Sequence, residues 1–280
     1  MIIWLASYPK SGNTWVRSIV SSLLYSNDGD FNFELIKKIK QFPEKKYFKD
    51  LINDFDNFDK IKENWILAQD KINLDDQIKV LKTHQGKYNV GKDSFTNSTN
   101  TLATIYIVRD PRTLISSISN HYTLDLNQAS NFLMTPQIIG NSKKWEENKI
   151  GMQCLLGKWN DHYRSWTRAK NDLLLIRYED LVHNPENELE KIISFLKKYI
   201  NFETDDIKNK RILETTSFKN LKEMEDKGLF KENVLNKKDD STVNFFHMGP
   251  ANNWKENLNK GITDKIEKNF FQEMVELKYL

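Results

Sequence analysis

The chain has 280 residues with 42 basic and 39 acidic side chains, and its formal net charge of +3 excludes a dedicated nucleic-acid binder while leaving room for a local basic pocket. One cysteine, Cys154, rules out an intrachain disulfide and a zinc-type cysteine cluster. No apolar run approaches the length of a membrane span and no secretory-signal pattern opens the chain, so a reducing cytoplasm is the expected location, and neither nucleic acid nor a membrane is an expected partner.

Ile2 to Ala6 is an unbroken apolar run, too short for a helix and suited to a buried strand. Ser7 to Trp15, SYPKSGNTW, is a compact polar loop, and after it Val16, Ile19, Val20, Leu23 and Leu24 recur at helical spacing over residues 14–26. In a strand, tight loop and helix, backbone N–H groups and a helix N-terminus converge on an anion. Gly12 lets the backbone approach a phosphate, Lys10 supplies a point charge, and Ser11 and Thr14 add hydroxyl donors. The lysine precedes the loop's single glycine, so this is not a Walker A loop. No obvious carboxylate pair stands beside it to hold Mg²⁺, and no metal is expected.

Residues 31–71 read as short amphipathic helices carrying Phe31, Phe33, Phe42, Phe48 and Trp65, whose rings either fill the core or wall an acceptor pocket. Gln77 to Leu81 is a second strand that delivers Lys82-Thr83-His84 at its carboxyl end, where α/β sheets gather ligands. Gly86 to Asn100 is polar and reads as a surface loop. Leu102 to Val108 is the strongest strand; it ends in Arg109-Asp110-Pro111-Arg112 and a helix through Tyr122 that carries Ser116 and Ser117. Residues 123–150 show no clear period and are a candidate lid over the acceptor site. Gly151 to Ala169 is expected to be a helix with Trp159, Tyr163 and Trp166 as a core stripe. Leu173 to Ile176 is a fourth strand leading into Arg177-Tyr178-Glu179-Asp180, and Asn184-Pro185 opens the next helix. Ile262 to Leu277 is an amphipathic closing helix. There is no internal repeat or linker, and one domain over residues 1–280 is the simplest account.

Tyr8-Pro9-Lys10-Ser11-Gly12-Asn13-Thr14-Trp15 resembles the 5′-phosphosulfate loop of the sulfotransferases that use 3′-phosphoadenosine 5′-phosphosulfate (PAPS), usually Y-P-K-S-G-T-T-W, with Asn13 the one departure. Further motifs follow in the family's order: Lys82-Thr83-His84, Arg109 with Ser117 eight residues on, Tyr178-Glu179-Asp180-Leu181 with Asn184-Pro185, and Thr216-Ser217-Phe218-Lys219. The resemblance implies a three-layer α/β/α sandwich around a mostly parallel sheet, of P-loop-NTPase-like type. It also implies a PAPS-dependent sulfotransferase that releases adenosine 3′,5′-bisphosphate (PAP), with a small hydroxyl or amine compound as acceptor and a homodimer compatible with it.

By that resemblance His84 is the general base, Lys10 neutralises charge on the leaving phosphate, and Lys82 contacts the sulfuryl oxygens. Ser11, Gly12, Asn13, Thr14 and Trp15 hold the 5′-phosphate side, with Trp15 stacking on adenine or simply packing. Arg109 and Ser117 take the 3′-phosphate, Tyr178 meets the adenine, and Thr216, Ser217 and Phe218 line the nucleotide. Phe246 to Lys255 falls where the family carries R-K-G-x-x-G-D-W-K. Gly249, Trp254 and Lys255 match, but His247 and Met248 stand in place of arginine and lysine and Asn252 in place of glycine. Two cations are therefore missing from the expected 3′-phosphate grip. A P-loop-like kinase needs a Walker A lysine and a strand-end Mg²⁺-binding Asp, neither found in register. A catalytically inactive nucleotide-binding scaffold is suggested by His247-Met248 and opposed by the retention of Lys10 and His84.

Overall fold

The computed structural model describes residues 1–140, 152–232, 234–235 and 242–280. The apolar opening run forms strand β1, Ile2–Ser7, with all six residues buried. It is central in a five-stranded sheet ordered β2-β3-β1-β6-β9, where β2 is Lys40–Gln41, β3 Lys79–Thr83, β6 Thr101–Val108 and β9 Asp172–Arg177. β1 is flanked on both sides and buried on both faces, which is why its sequence is continuously apolar rather than alternating. It pairs in parallel with β3 and with β6, and the registers Ala6 to Thr83 and Ser7 to Ile107 bring the carboxyl ends of the three strands to one edge. The chain passes to β3 on one side of β1 and β6 on the other, which makes β1 a topological switch point. The α/β class and parallel sheet are as the sequence implies.

The chain divides into two compact units. The first holds Met1–Tyr8, Ile39–Ile107 and Pro136–Leu175. It includes the short helices α3 (Lys45–Phe48), α4 (Phe58–Glu63) and α5 (Trp65–Ile72). Its core is aromatic: Trp4 lies 5.3 Å from Phe95 and 6.2 Å from Trp166, and Phe95 lies 5.5 Å from Trp65. The stretch 86–100 is more than a surface loop. It folds a hairpin of β4 (Asn89–Val90) and β5 (Asp93–Ser94), and it inserts Phe95 into that core fully buried.

The expected helix from Gly151 starts only at Trp159. Before it, Cys154–Gly157 forms β8, paired antiparallel with β7, Gln137–Ile139. Gly157, at φ 67, turns the chain into α8, Trp159–Thr167, and a side chain there would strike the Tyr88 hydroxyl at 2.2 Å. Trp159, Tyr163 and Trp166 are core residues, as their spacing suggests.

The second unit holds Pro9–Lys38, Val108–Thr135 and Ile176–Leu280. Its helices are α1 (Asn13–Tyr25), α2 (Phe33–Ile36), α6 (Pro111–Tyr122), α7 (Leu126–Met134), α9 (Tyr178–His183), α10 (Pro185–Leu196), α11 (Asp206–Thr215), α12 (Phe218–Asp226), α13 (Trp254–Asn257), α14 (Lys260–Asn269) and α15 (Phe271–Glu276), with a two-residue ladder of β10 (Val234–Leu235) and β11 (Thr242–Val243). Pro111 occupies the first turn of α6, and the Asp110 side chain caps it. The candidate lid is partly regular: Asp125 and Gln128 form a capping box that opens α7. Its residues 141–150 lie outside the described residues. The closing helix is two helices, α14 and α15, broken at Phe270.

One polar side chain in the first unit's core carries a pH signature. His162 on α8 is fully buried, and burial pushes its imidazole from the ordinary 6.5 down to about 4, against the opposing effect of its hydrogen bond to His84. As pH falls below 6.5 the unfolded chain takes up this proton first, so stability present at neutral pH is lost between about pH 6.5 and pH 4. The loss from this group is about 3 kcal/mol. Urea titrations at stepped pH should show a steeper acid decline in the wild type than in His162→Gln; equal slopes would contradict it.

Candidate active site

The loop after β1 is bent by two left-handed residues, Lys10 at φ 66 and Gly12 at φ 98. Alternating conformations of this kind turn successive N–H groups into one concavity. Gly12 is also the N-cap of α1, with no side-chain cap, so the positive end of the helix opens onto the loop. Ser11 is fully buried and its Oγ has no hydrogen-bond partner among the described residues. A buried hydroxyl left unpaired is costly, and an anion seated in the loop would satisfy it. Lys10 rests with Nζ 3.3 Å from the Phe245 carbonyl and 3.5 Å from the centroid of the Phe245 ring. Asn13 and Thr14, the first residues of α1, are buried.

Arg109 follows β6 and is buried to 6% exposure. Its Nε donates to Thr113 Oγ1 at 3.0 Å; its Nη1 reaches the Lys10 carbonyl at 3.3 Å and Ser117 Oγ at 3.5 Å. The guanidinium lies 4.0 Å from the Tyr178 ring centre, and Trp15 meets that ring edge-on at 5.8 Å. Tyr178 in turn presses on Gly12, where an added Cβ would stand 2.7 Å from a ring carbon. Lys10, Gly12, Trp15, Arg109, Ser117 and Tyr178, scattered in sequence, therefore form one cluster. Burial raises the Tyr178 phenol above its ordinary pKa, with Arg109 opposing.

Beneath this cluster runs a polar network that motif reading misses. Glu179 accepts the Asp110 backbone N–H on one oxygen and the Tyr279 hydroxyl on the other, both at 2.9 Å. Arg112 forks onto Asp110 and reaches the Tyr279 carbonyl at 2.8 Å. Burial raises Glu179 above the usual carboxylate range against these hydrogen bonds and Arg109. Glu179 thus ties the turn after Arg109 to the turn that carries Tyr178.

Phe218 and Gly249 are also brought together: at Gly249, φ 53, a Cβ would meet the Phe218 ring at 2.3 Å. Thr216 ends α11 and Ser217 opens α12. The Thr216 hydroxyl donates to the Ile212 carbonyl at 2.7 Å, and Ser217 caps α12 by accepting from Asn220 N–H at 3.4 Å. His247 is exposed, and its pKa is lowered by partial burial and by the positive charges of Lys222 and Lys10. Met248 Sδ accepts from Asn257 at 3.9 Å. Asn252, the residue in place of a glycine, donates to the Thr113 carbonyl at 2.8 Å and so anchors this segment on the residue that holds Arg109. Glu225 fixes its start by accepting the N–H groups of Phe245 and Phe246 at 2.6 and 3.0 Å.

In the first unit, β3 extends to Thr83 and places His84 just beyond it, with Lys82 buried. His84 Nδ1 is 2.8 Å from the Ser7 carbonyl and 3.3 Å from Ser7 Oγ. A carbonyl can only accept, so neutral His84 carries its proton on Nδ1 and its lone pair on Nε2, the form a general base requires. Among the described residues no group of acidic, histidine or cysteine side chains is placed to hold a metal ion, and no helix is long and apolar enough to cross a membrane.

The sulfotransferase-domain family model matches residues 2–278, and the chain belongs to that family. Mouse Sulfotransferase 1 family member D1 is 26% identical over 280 residues, covering 97% of this chain and 83% of the relative. A crystal structure of a mouse sulfotransferase complexed with PAP superposes at a TM-score of 0.57 with 19% identity, covering 97% of this chain and 84% of that one. Retinol dehydratase in complex with androsterone and inactive cofactor PAP gives 0.59 with 16% identity, covering 98% and 80%. These two share the fold.

Gly12→Ala should be costly twice over, through its φ of 98 and through the 2.7 Å approach to Tyr178. Gly91 also has a positive φ, 65, but nothing within 4 Å of an added Cβ. Urea unfolding should therefore show Gly91→Ala losing about 1 kcal/mol from backbone strain, with Gly12→Ala losing more. Equal losses would mean that the Tyr178 contact yields freely.

Proposed function

We infer that this sulfotransferase moves a sulfuryl group from PAPS to a hydroxyl or amine of a small acceptor, with His84 as general base. The observation that carries this reading is the joining of the loop and the Arg109–Ser117 pair through Tyr178. This arrangement offers two anion-binding poles around one aromatic platform, as a nucleotide phosphorylated at both 5′ and 3′ positions requires.

PAPS supplies the sulfuryl group and leaves as PAP. In the proposal the N–H groups of residues 11–15, with the Ser11 and Thr14 hydroxyls, bind the 5′-phosphate, and the unsatisfied Ser11 Oγ supports it. Arg109 and Ser117 bind the 3′-phosphate with Tyr178 and Trp15 beside the adenine, and Phe218 and Gly249 supply a further wall. His84 Nε2 accepts the acceptor's proton, a contribution of roughly 10²–10⁴-fold. Lys10 leaves its resting place on Phe245 to offset charge on the leaving phosphate, and Lys82 steadies the sulfuryl oxygens. With His247 and Met248 where two cations are usual, Arg109 carries more of the 3′-phosphate than in the family pattern. The unbroken family match from residue 2 to 278 supports one catalytic domain, and the single buried cysteine suits a reducing cytoplasm.

Thermal unfolding with PAP, ATP–Mg²⁺ or AMP tests the nucleotide assignment without an acceptor. PAP at about 100 times its Kd adds about 2.7 kcal/mol and should raise Tm by several degrees. Arg109→Ala should abolish most of that shift. A shift with ATP–Mg²⁺ alone would favour a kinase, and no shift with any of the three would favour an inactive scaffold.

A further inference from the structure

The main chain at His84 is gripped from α8. His162 Nε2 lies 3.0 Å from the His84 carbonyl, and Trp166 Nε1 lies 3.1 Å from the Gln85 carbonyl. The two residues are four apart, so one helical face presents them one turn apart to consecutive carbonyls. Carbonyls only accept, so both rings donate. A neutral imidazole has one proton to give, and with it on Nε2 the other nitrogen must accept. Its partner is the Tyr106 hydroxyl, 2.8 Å from His162 Nδ1. Tyr106 and His162 are both buried, so water does not compete for these bonds.

Gln85 is locked as well: its N–H donates to Thr83 Oγ1 at 3.1 Å and its side-chain oxygen accepts from Leu155 N–H at 2.7 Å. Gly86 N–H donates to the Leu155 carbonyl at 2.9 Å. The backbone from His84 to Gly86 is thus fixed by α8 and β8, and the His84 ring is left with Nδ1 on the Ser7 carbonyl.

We propose that His162 and Trp166 are positioning residues for His84, a two-pronged clamp from one face of α8 that keeps the His84 ring on the Ser7 carbonyl and its lone pair on Nε2. That His84 is the base rests on the function proposed above; the clamp itself is a statement about geometry.

Imidazole ¹H–¹⁵N correlation spectra of the full chain report the tautomer of each of its 5 histidines, with single His→Ala variants giving the assignments. In the wild type His84 should be wholly the Nδ1–H tautomer and His162 wholly the Nε2–H tautomer. His162→Phe keeps an aromatic ring but removes the donor; His84 should then lose its single-tautomer pattern. His162→Gln, whose amide can reach the same carbonyl, should restore it. Trp166→Phe and Tyr106→Phe each remove one polar atom from a buried ring, and they provide the same readout if His162→Phe does not fold.

His84 unchanged in every one of these variants, or Nε2–H in the wild type, would overturn the clamp. The PAP-induced Tm shift, measured on the same samples, should survive His162→Phe. A missing shift in the wild type with responsive tautomers would defeat the proposed function and leave the clamp standing; an intact shift with indifferent tautomers would do the reverse.

Discussion

The contact on which the second unit's site depends is the seat of the Tyr178 ring on Gly12. The loop turns left-handed at Lys10, at a cost in backbone strain, and at Gly12, where glycine adopts that conformation freely and alone lets the ring come this close. Through that ring the loop is joined to Arg109, and through Arg109 to Thr113 and Ser117. Glu179, next in the chain to Tyr178, closes the circuit by holding the Asp110 N–H and the Tyr279 hydroxyl. In the proposed function this fixed backbone and the Arg109 guanidinium are already in place for phosphate, and Lys10, resting on Phe245, is the donor that has to move.

The polar groups of this region divide by whether the protein itself satisfies them. Arg112, Glu225, Asn252, Thr216 and Ser217 spend their hydrogen bonds on helix ends and loop backbones, and so fix where the cluster's walls stand. Among the described residues Ser11 Oγ has no hydrogen-bond partner, and it sits in the bend of the loop. The departures at residues 247, 248 and 252 are uneven in consequence. Asn252 gains a structural bond to Thr113. Exposed His247 and thioether-bearing Met248 add no fixed positive charge, and the cations whose fields reach His247 are Lys222 and Lys10.

Much of this was legible in the sequence wherever one local rule decided the outcome. The apolar run of β1, the mostly apolar β6, the Pro111 and Pro185 helix starts and the Trp159–Trp166 stripe need no long-range information. The misses share a cause: tertiary context overrode a polar or weakly periodic stretch. Residues 86–100 look like a loop because their one fully buried aromatic, Phe95, stands among polar residues. The helix expected from Gly151 starts late because Cys154–Gly157 pairs with β7, and the chain turns at Gly157, where a side chain would strike Tyr88. Helix α7 announces itself through the Asp125–Gln128 capping box, a signal available in the sequence but outweighed by the region's lack of period. At the site, motif order identified the residues that gather around Tyr178, whereas Thr113, Glu179, Tyr279 and His162 serve through contacts 4 to 167 positions away in sequence, which spacing alone does not reveal.

The proposed function stands or falls on His84 driving transfer to an acceptor hydroxyl or amine. The most direct test offers the protein PAPS labelled with ³⁵S together with a mixture of phenols, aliphatic alcohols, sterols and amines, and compares wild type with His84→Ala. Labelled sulfated product is expected from the wild type and a fall of about 10²-fold or more in the variant, with PAP still bound by both. Labelled product formed equally well by His84→Ala, or PAP binding without transfer to any acceptor class in the mixture, would contradict it.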